Sequence, residues 1–121
     1  MAKGKDVVWI IDSKQWPRAC LRAELMERGF EAIGFTTLAQ AIAAYHLRIY
    51  EKPRLIILDL FELDGEDEEI VLLSRLGIPV MLLGGAVQLN REAVRRISWA
   101  HVIRRPYTIG NIADKVEQLL K

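Results

Sequence analysis

The sequence predicts an α/β protein with a doubly wound, five-stranded parallel sheet lying between two layers of helices. Three observations lead there. Short apolar runs alternate with helix-like segments from one end to the other. Each of five such runs is followed by a helix-period pattern, and a parallel strand pair needs a crossover of that kind. The chain has 121 residues, enough for one core and too few for two.

The elements follow in order. Residues 7–11, VVWII, form a continuous apolar run of the sort buried on both faces of a sheet. Pro17 then marks a helix start, with Leu21, Leu25 and Met26 inward and Gly29 as the stop. Residues 31–35 are a weaker strand. TLAQ at 37–40 has capping-box form and opens a helix with Leu38, Ile42 and Tyr45 inward. Residues 55–58 are the next buried strand and run into Asp59. Ile70, Leu73 and Ser74 predict a short helix ended by Gly77, and 79–83 a strand followed by Gly84 and Gly85. Asn90 is placed to cap a helix carrying Ala93, Val94 and Ile97. Residues 101–103 are a fifth strand. Thr108 caps the last helix, whose inward stripe reads Ile112, Val116, Leu119 and Leu120. A single domain spanning 1–121, with its core over about 6–121, is expected.

Composition removes several function classes. A formal net charge of +1 gives no overall attraction to nucleic acid or to a membrane surface. No apolar run approaches the roughly 20 residues needed to cross a bilayer. The first residues lead straight into strand-like sequence rather than a cleavable leader, so a cytoplasmic setting is expected. Cys20 stands alone, which rules out an internal disulfide and a multi-cysteine metal site, and it reads as a buried helix residue.

In a doubly wound sheet, ligands sit beyond the carboxyl ends of the strands, and Asp12 and Asp59 both fall at such ends. Two carboxylates there can hold Mg²⁺ through oxygen ligands, and one of them can then attack a phosphoryl donor to give an aspartyl phosphate. Asp12 also suits a helix cap. The glycine pair at 84–85 lacks a following Lys-Ser/Thr and reads as a tight turn, while the loop DSKQW at 12–16 has no glycine, against a dinucleotide site. The acidic run ELDGEDEE at 62–69 lacks calcium-loop spacing and reads as a solvated loop leading into a helix N-terminus. Arg91, Arg95, Arg96, Arg104 and Arg105 concentrate positive charge, either as a solvated face or as a partner surface beside Trp99, itself a core filler or an interface anchor. Trp16 lies where it could cover the cleft mouth. His46 and His101 lack metal-ligand company.

Four segments together resemble the receiver domain of bacterial response regulators: IID at 10–12, PRLIILD at 53–59, GIPV at 77–80 and RPY at 105–107. The resemblance covers residues 6 to 121. It implies the flavodoxin-like strand order 2-1-3-4-5 with five helices, Asp59 as phosphoacceptor candidate, Mg²⁺ on Asp12 and Asp59, a cis Arg105–Pro106 bond, and contacts through the face of the fourth helix, fifth strand and fifth helix.

The departures from the receiver pattern concern the switch. Ser13 stands where the resemblance expects a second acid, Gly84 where it expects a Thr or Ser, Val102 where it expects an aromatic residue, and Arg105 where it expects a Lys. The loop after Asp59 is two residues shorter than the family's and lacks its proline. A charge-assisted hydrogen bond contributes roughly 1.5–3 kcal/mol, and a full population switch takes about 5.5 kcal/mol. Losing the hydroxyl at 84 therefore removes a large share of any coupling. The expectation is a degenerate, or pseudo, receiver: a protein-interaction module, not an enzyme, with weak or absent Asp59 phosphorylation and no required cofactor, Mg²⁺ binding weakly if at all. Its expected partner is a histidine kinase, a downstream effector or a second copy, without direct nucleic-acid or membrane contact. The alternative is a phosphoaccepting receiver using Asp59 and Mg²⁺. A flavin or nucleotide binder has only fold analogy behind it.

Overall fold

The computed structural model describes residues 4–61, 63 and 67–121, so residues 62 and 64–66 of the acidic run at 62–69 lie outside the described residues. Five parallel strands, β1 (Val7–Ile11), β2 (Glu31–Phe35), β3 (Leu55–Asp59), β4 (Val80–Gly84) and β5 (His101–Arg104), form one sheet in the order β2-β1-β3-β4-β5. Between and after them come α1 (Gln15–Glu27), α2 (Leu38–Leu47), α3 (Asp67–Ser74), α4 (Ala86–Leu89), α5 (Glu92–Arg95) and α6 (Ile109–Leu120).

Side chains alternate across each strand and so supply two cores. Val7, Trp9 and Ile11 of β1 join Ile56 and Leu58 of β3 on the side covered by α2, α3 and α5. Val8 and Ile10 join Ile57, Met81 and Leu83 on the opposite side, against Leu21 and Leu25 of α1 and Ile112 and Val116 of α6. Burial on both sides explains why β1, β3 and β4 read as unbroken apolar runs.

The helix ends follow local chemistry. Thr37 Oγ1 accepts the Gln40 N–H at 3.1 Å, while Gln40 Oε1 accepts the Thr36 N–H at 3.0 Å. Thr108 and Asn111 close a reciprocal box at the start of α6, with bonds of 3.0 and 3.1 Å. Gly29 and Gly77 take left-handed backbone where α1 and α3 stop. At the end of α2 that position is filled by Arg48 (φ 55°), a conformation costing a non-glycine residue about 1 kcal/mol.

Several sequence expectations are corrected. The single helix capped by Asn90 is two four-residue helices; Asn90 ends α4, and Arg91 precedes α5 with extended backbone (ψ 138°) while its guanidinium pairs with Asp67 of α3. Met26 is exposed, because Leu21 and Leu25 take the sheet-facing line of α1. In α6 the buried line is Ile112, Ala113 and Val116, with Leu120 packed beside it and Leu119 turned outward. Cys20 is exposed rather than buried. The Arg105–Pro106 bond is cis, as expected.

Candidate functional site

The carboxyl ends of β1 and β3 lie side by side, since Ile11 is in register with Leu58. Asp12 follows directly, its N–H donating to the Phe35 carbonyl at 3.0 Å, and Asp59 closes β3 in register with Leu83. Both are 4 % exposed, and they are the only buried charged residues among those described. The two aspartates therefore share one pocket.

Lys14 fills the space between them. Its backbone N–H donates to Asp12 Oδ1 at 2.9 Å, closing a turn ahead of α1, whose N-cap is Lys14 and not Asp12, against the capping role the sequence allowed. The ammonium then folds back over that turn. Lys14 Nζ lies 2.9 Å from Asp12 Oδ1 and 3.8 Å from Asp59 Oδ1, and it donates to the Phe61 carbonyl at 2.8 Å. Asp12 is fixed further by Arg18, whose Nη1 donates to its carbonyl at 2.7 Å. Taking two carboxylates out of water costs several kcal/mol each, and an adjacent ammonium with further hydrogen bonds offsets that cost.

Asp59 is held on both oxygens. The Phe61 N–H donates to Oδ1 at 2.9 Å, and the Tyr107 hydroxyl donates to Oδ2 at 3.2 Å. Burial pushes the Asp59 carboxyl above its usual range, with Asp12 adding to the rise, while the Phe61 N–H, Lys14 and Tyr107 pull the other way. The Tyr107 hydroxyl is likewise pushed up, chiefly by burial.

Arg105 is placed differently from what its sequence position implied. Its guanidinium carbon lies 3.6 Å from the centre of the Phe61 ring, a cation–π stack, and Lys14 Nζ lies 5.1 Å from the same ring. Gly84 is buried at the end of β4, where an added Cβ would touch Leu89 Cδ2 at 3.4 Å. Gly85 is crossed by Gln88, whose Oε1 accepts the Gly85 N–H at 2.9 Å. Both glycines thus allow α4 to fold tightly over the strand end without positive φ. Ser13 is partly buried beside Asp12. Trp16 is 78 % exposed and does not cover the pocket.

Two carboxylates and the Phe61 carbonyl are oxygen donors of the kind Mg²⁺ takes, but the Lys14 ammonium stands among them. Mg²⁺ demands near-octahedral oxygen geometry at about 2.0–2.1 Å, and the facing oxygens of Asp12 and Asp59 are already turned to Lys14. Among the described residues no cluster of three or more metal-ligating side chains forms.

Arg105 apart, the arginines of the basic face lie away from the pocket. Arg91 pairs with Asp67 and Arg96 with Glu92, leaving Arg95 and Arg104 exposed without a carboxylate partner among the described residues. These two border a groove of about 360 Å³ lined also by Leu82, Leu89, Trp99 and Val102. Trp99 packs against the core and donates its indole N–H to the Val94 carbonyl at 2.9 Å. Val102, 43 % exposed, lies on the wall of that groove. Sequence reading missed Lys14, Phe61 and Tyr107; the one signal was a lysine two residues after a strand-end aspartate.

No family model matches the chain, and no curated protein matches it significantly. Solved structures do. A response regulator receiver protein from Pseudomonas putida superposes with a TM-score of 0.79 at 20 % identity, covering 97 % of this chain and 99 % of that one. A receiver protein from Burkholderia phymatum gives 0.76 at 19 % identity, covering 96 % and 95 %. A receiver domain from Methylobacillus flagellatus gives 0.75 at 13 %, covering 96 % and 99 %. The chain has the fold of response regulator receiver domains.

Proposed function

We propose that this chain is a receiver-fold interaction module that works without phosphorylation of Asp59, a pseudo-receiver in a signalling pathway. One observation carries the reading: the Lys14 ammonium lies between Asp12 and Asp59, where a metal-dependent phosphoacceptor needs open carboxylate oxygens. The ammonium offsets part of the charge of the two carboxylates, so the acids hold the loop ends together rather than await a ligand. Three features support it. The hydroxyl at position 84 is missing, Arg105 is stacked on Phe61 and forms no ion pair with Asp59, and Val102 has no ring to move.

On this reading the chain is a single cytoplasmic domain, without enzymatic turnover, required cofactor, or nucleic-acid or membrane contact. Its partner is a protein, either a histidine kinase, a downstream effector or a second copy. The surface that meets it is the groove between α4, α5 and β5 with the adjoining α6, where Arg95 and Arg104 offer unpaired charge to an acidic patch. The competing reading, an active phosphoacceptor, draws on the shared burial of Asp12 and Asp59.

Intact mass after incubation with acetyl phosphate and Mg²⁺ separates the two. The proposed reading expects the unmodified mass. A stoichiometric phosphate adduct that is missing from Asp59→Asn overturns it.

A further inference from the structure

A second concave site lies away from the acidic pocket. A cavity of about 480 Å³ opens between the C-terminal end of α2 and the loop leading to β3, lined by Trp9, Tyr45, His46, Arg48, Tyr50 and Lys52. Its size falls within the range of small-molecule sites, roughly 300–1,000 Å³.

The lining is chemically one-sided. Three large aromatic side chains stand beside two basic side chains, Arg48 and Lys52, and an imidazole, and no carboxylate contributes. Glu51, between Tyr50 and Lys52 in sequence, is exposed and lies outside the lining. Arg48 and Lys52 form no ion pair among the described residues, although Glu51 lies beside Lys52 in sequence.

Two further features are costly to the fold and unexplained by its packing. The indole Nε1 of Trp9, a residue with no exposed surface, has no hydrogen-bond partner among the described residues. Buried N–H groups are nearly always paired, so this one is a cost the fold carries. Arg48 holds left-handed backbone at a helix end where glycine is the easier residue, and so keeps a guanidinium on the rim. The aromatic side chains are fixed by one another. Trp9 meets Phe35 at 4.8 Å and Tyr50 edge-on at 6.5 Å, and Tyr45 donates its hydroxyl to the Leu76 carbonyl at 3.3 Å.

We propose that this cavity binds a planar aromatic anion, a ring bearing a carboxylate, sulfonate or phosphate group. The ring packs against the aromatic walls, and the anionic group meets Arg48 and Lys52. The site is independent of Lys14 and of the phosphorylation state of Asp59.

The test is a fluorescence titration of the whole chain with 8-anilinonaphthalene-1-sulfonate, with thermal denaturation of each variant in parallel. Saturable one-to-one binding is expected. Arg48→Gly should weaken it about tenfold, the scale of one charge-assisted hydrogen bond, while leaving the melting temperature unchanged or higher because glycine takes the left-handed turn freely. Lys52→Gln should act alike on binding. The uncharged 1-anilinonaphthalene should bind at least tenfold more weakly than the sulfonate. Displacement by indole-3-carboxylate or by adenosine monophosphate supports the site and tells carboxylate from phosphate ligands. Absence of saturable binding, equal binding of the uncharged compound, displacement by neither anion, or affinity untouched by both Arg48→Gly and Lys52→Gln overturns the proposal.

Discussion

Lys14 sets the electrostatic balance of the acidic pocket at the scale of single residues. Its ammonium faces two carboxylates and one carbonyl, so replacing it with methionine keeps most of the packing and removes the charge. Breaking a buried pair by deleting one partner typically costs 3–5 kcal/mol, and the partial exposure of Lys14 reduces this to about 2 kcal/mol. Lys14→Met should lower unfolding free energy at neutral pH by that amount in a urea titration; an unchanged midpoint would show that the ion pair is idle. Asp59 makes a prediction of opposite sign. Its folded pKa is raised, so ionisation favours the unfolded chain, and stability contributed by the neutral acid is lost as pH climbs from the ordinary carboxylate range through the raised value. Asp59→Asn should therefore stabilise the protein by about 1 kcal/mol at pH 7. That advantage should shrink on acidification through the same window, and melting curves across pH check it. Destabilisation by Asp59→Asn at pH 7 would mean that its hydrogen bonds to Phe61 and Tyr107 outweigh the burial of its charge.

Among the elements, the helix termini and the arginine face carry the testable content. Thr108 caps α6, whose Ile112 and Val116 close one core, so Thr108→Ala should cost about 1 kcal/mol in the same denaturation assay. Arg95 and Arg104 flank the groove with unpaired charge, whereas Arg91 and Arg96 are spent on Asp67 and Glu92. Reversing Arg95 and Arg104 to glutamate should abolish association, whether with a second copy by sedimentation or with a co-purifying partner, and leave the melting temperature nearly unchanged. Association that survives the reversal would move the interface elsewhere. The strands were legible because each central one is buried on both faces and so appears as an uninterrupted apolar run. The split between α4 and α5 was not. Four-residue helices carry no periodicity, and their break coincides with a tertiary pair between Arg91 and Asp67 that spacing alone does not reveal.

For the molecule as a whole, the order β2-β1-β3-β4-β5 places β1 and β3 as neighbours at the centre of the sheet, so both strand-end aspartates fall into one crevice. That juxtaposition was readable from the strand order that the resemblance to receiver domains implied. What fills the crevice was not, because it depends on a flexible side chain reaching a carbonyl 47 residues away, at Phe61, and on a tyrosine 48 residues beyond Asp59. The same architecture leaves the α2–β3 cavity outside the acidic crevice, so a signal read there need not pass through aspartate chemistry. The central claim is that an internal ammonium replaces a divalent ion in this fold, and calorimetric titration with Mg²⁺ tests it most directly. Wild-type protein should show no saturable heat at millimolar Mg²⁺, while Lys14→Met, with both carboxylates freed, should bind the ion. Wild-type binding as tight as that of the variant would contradict the account.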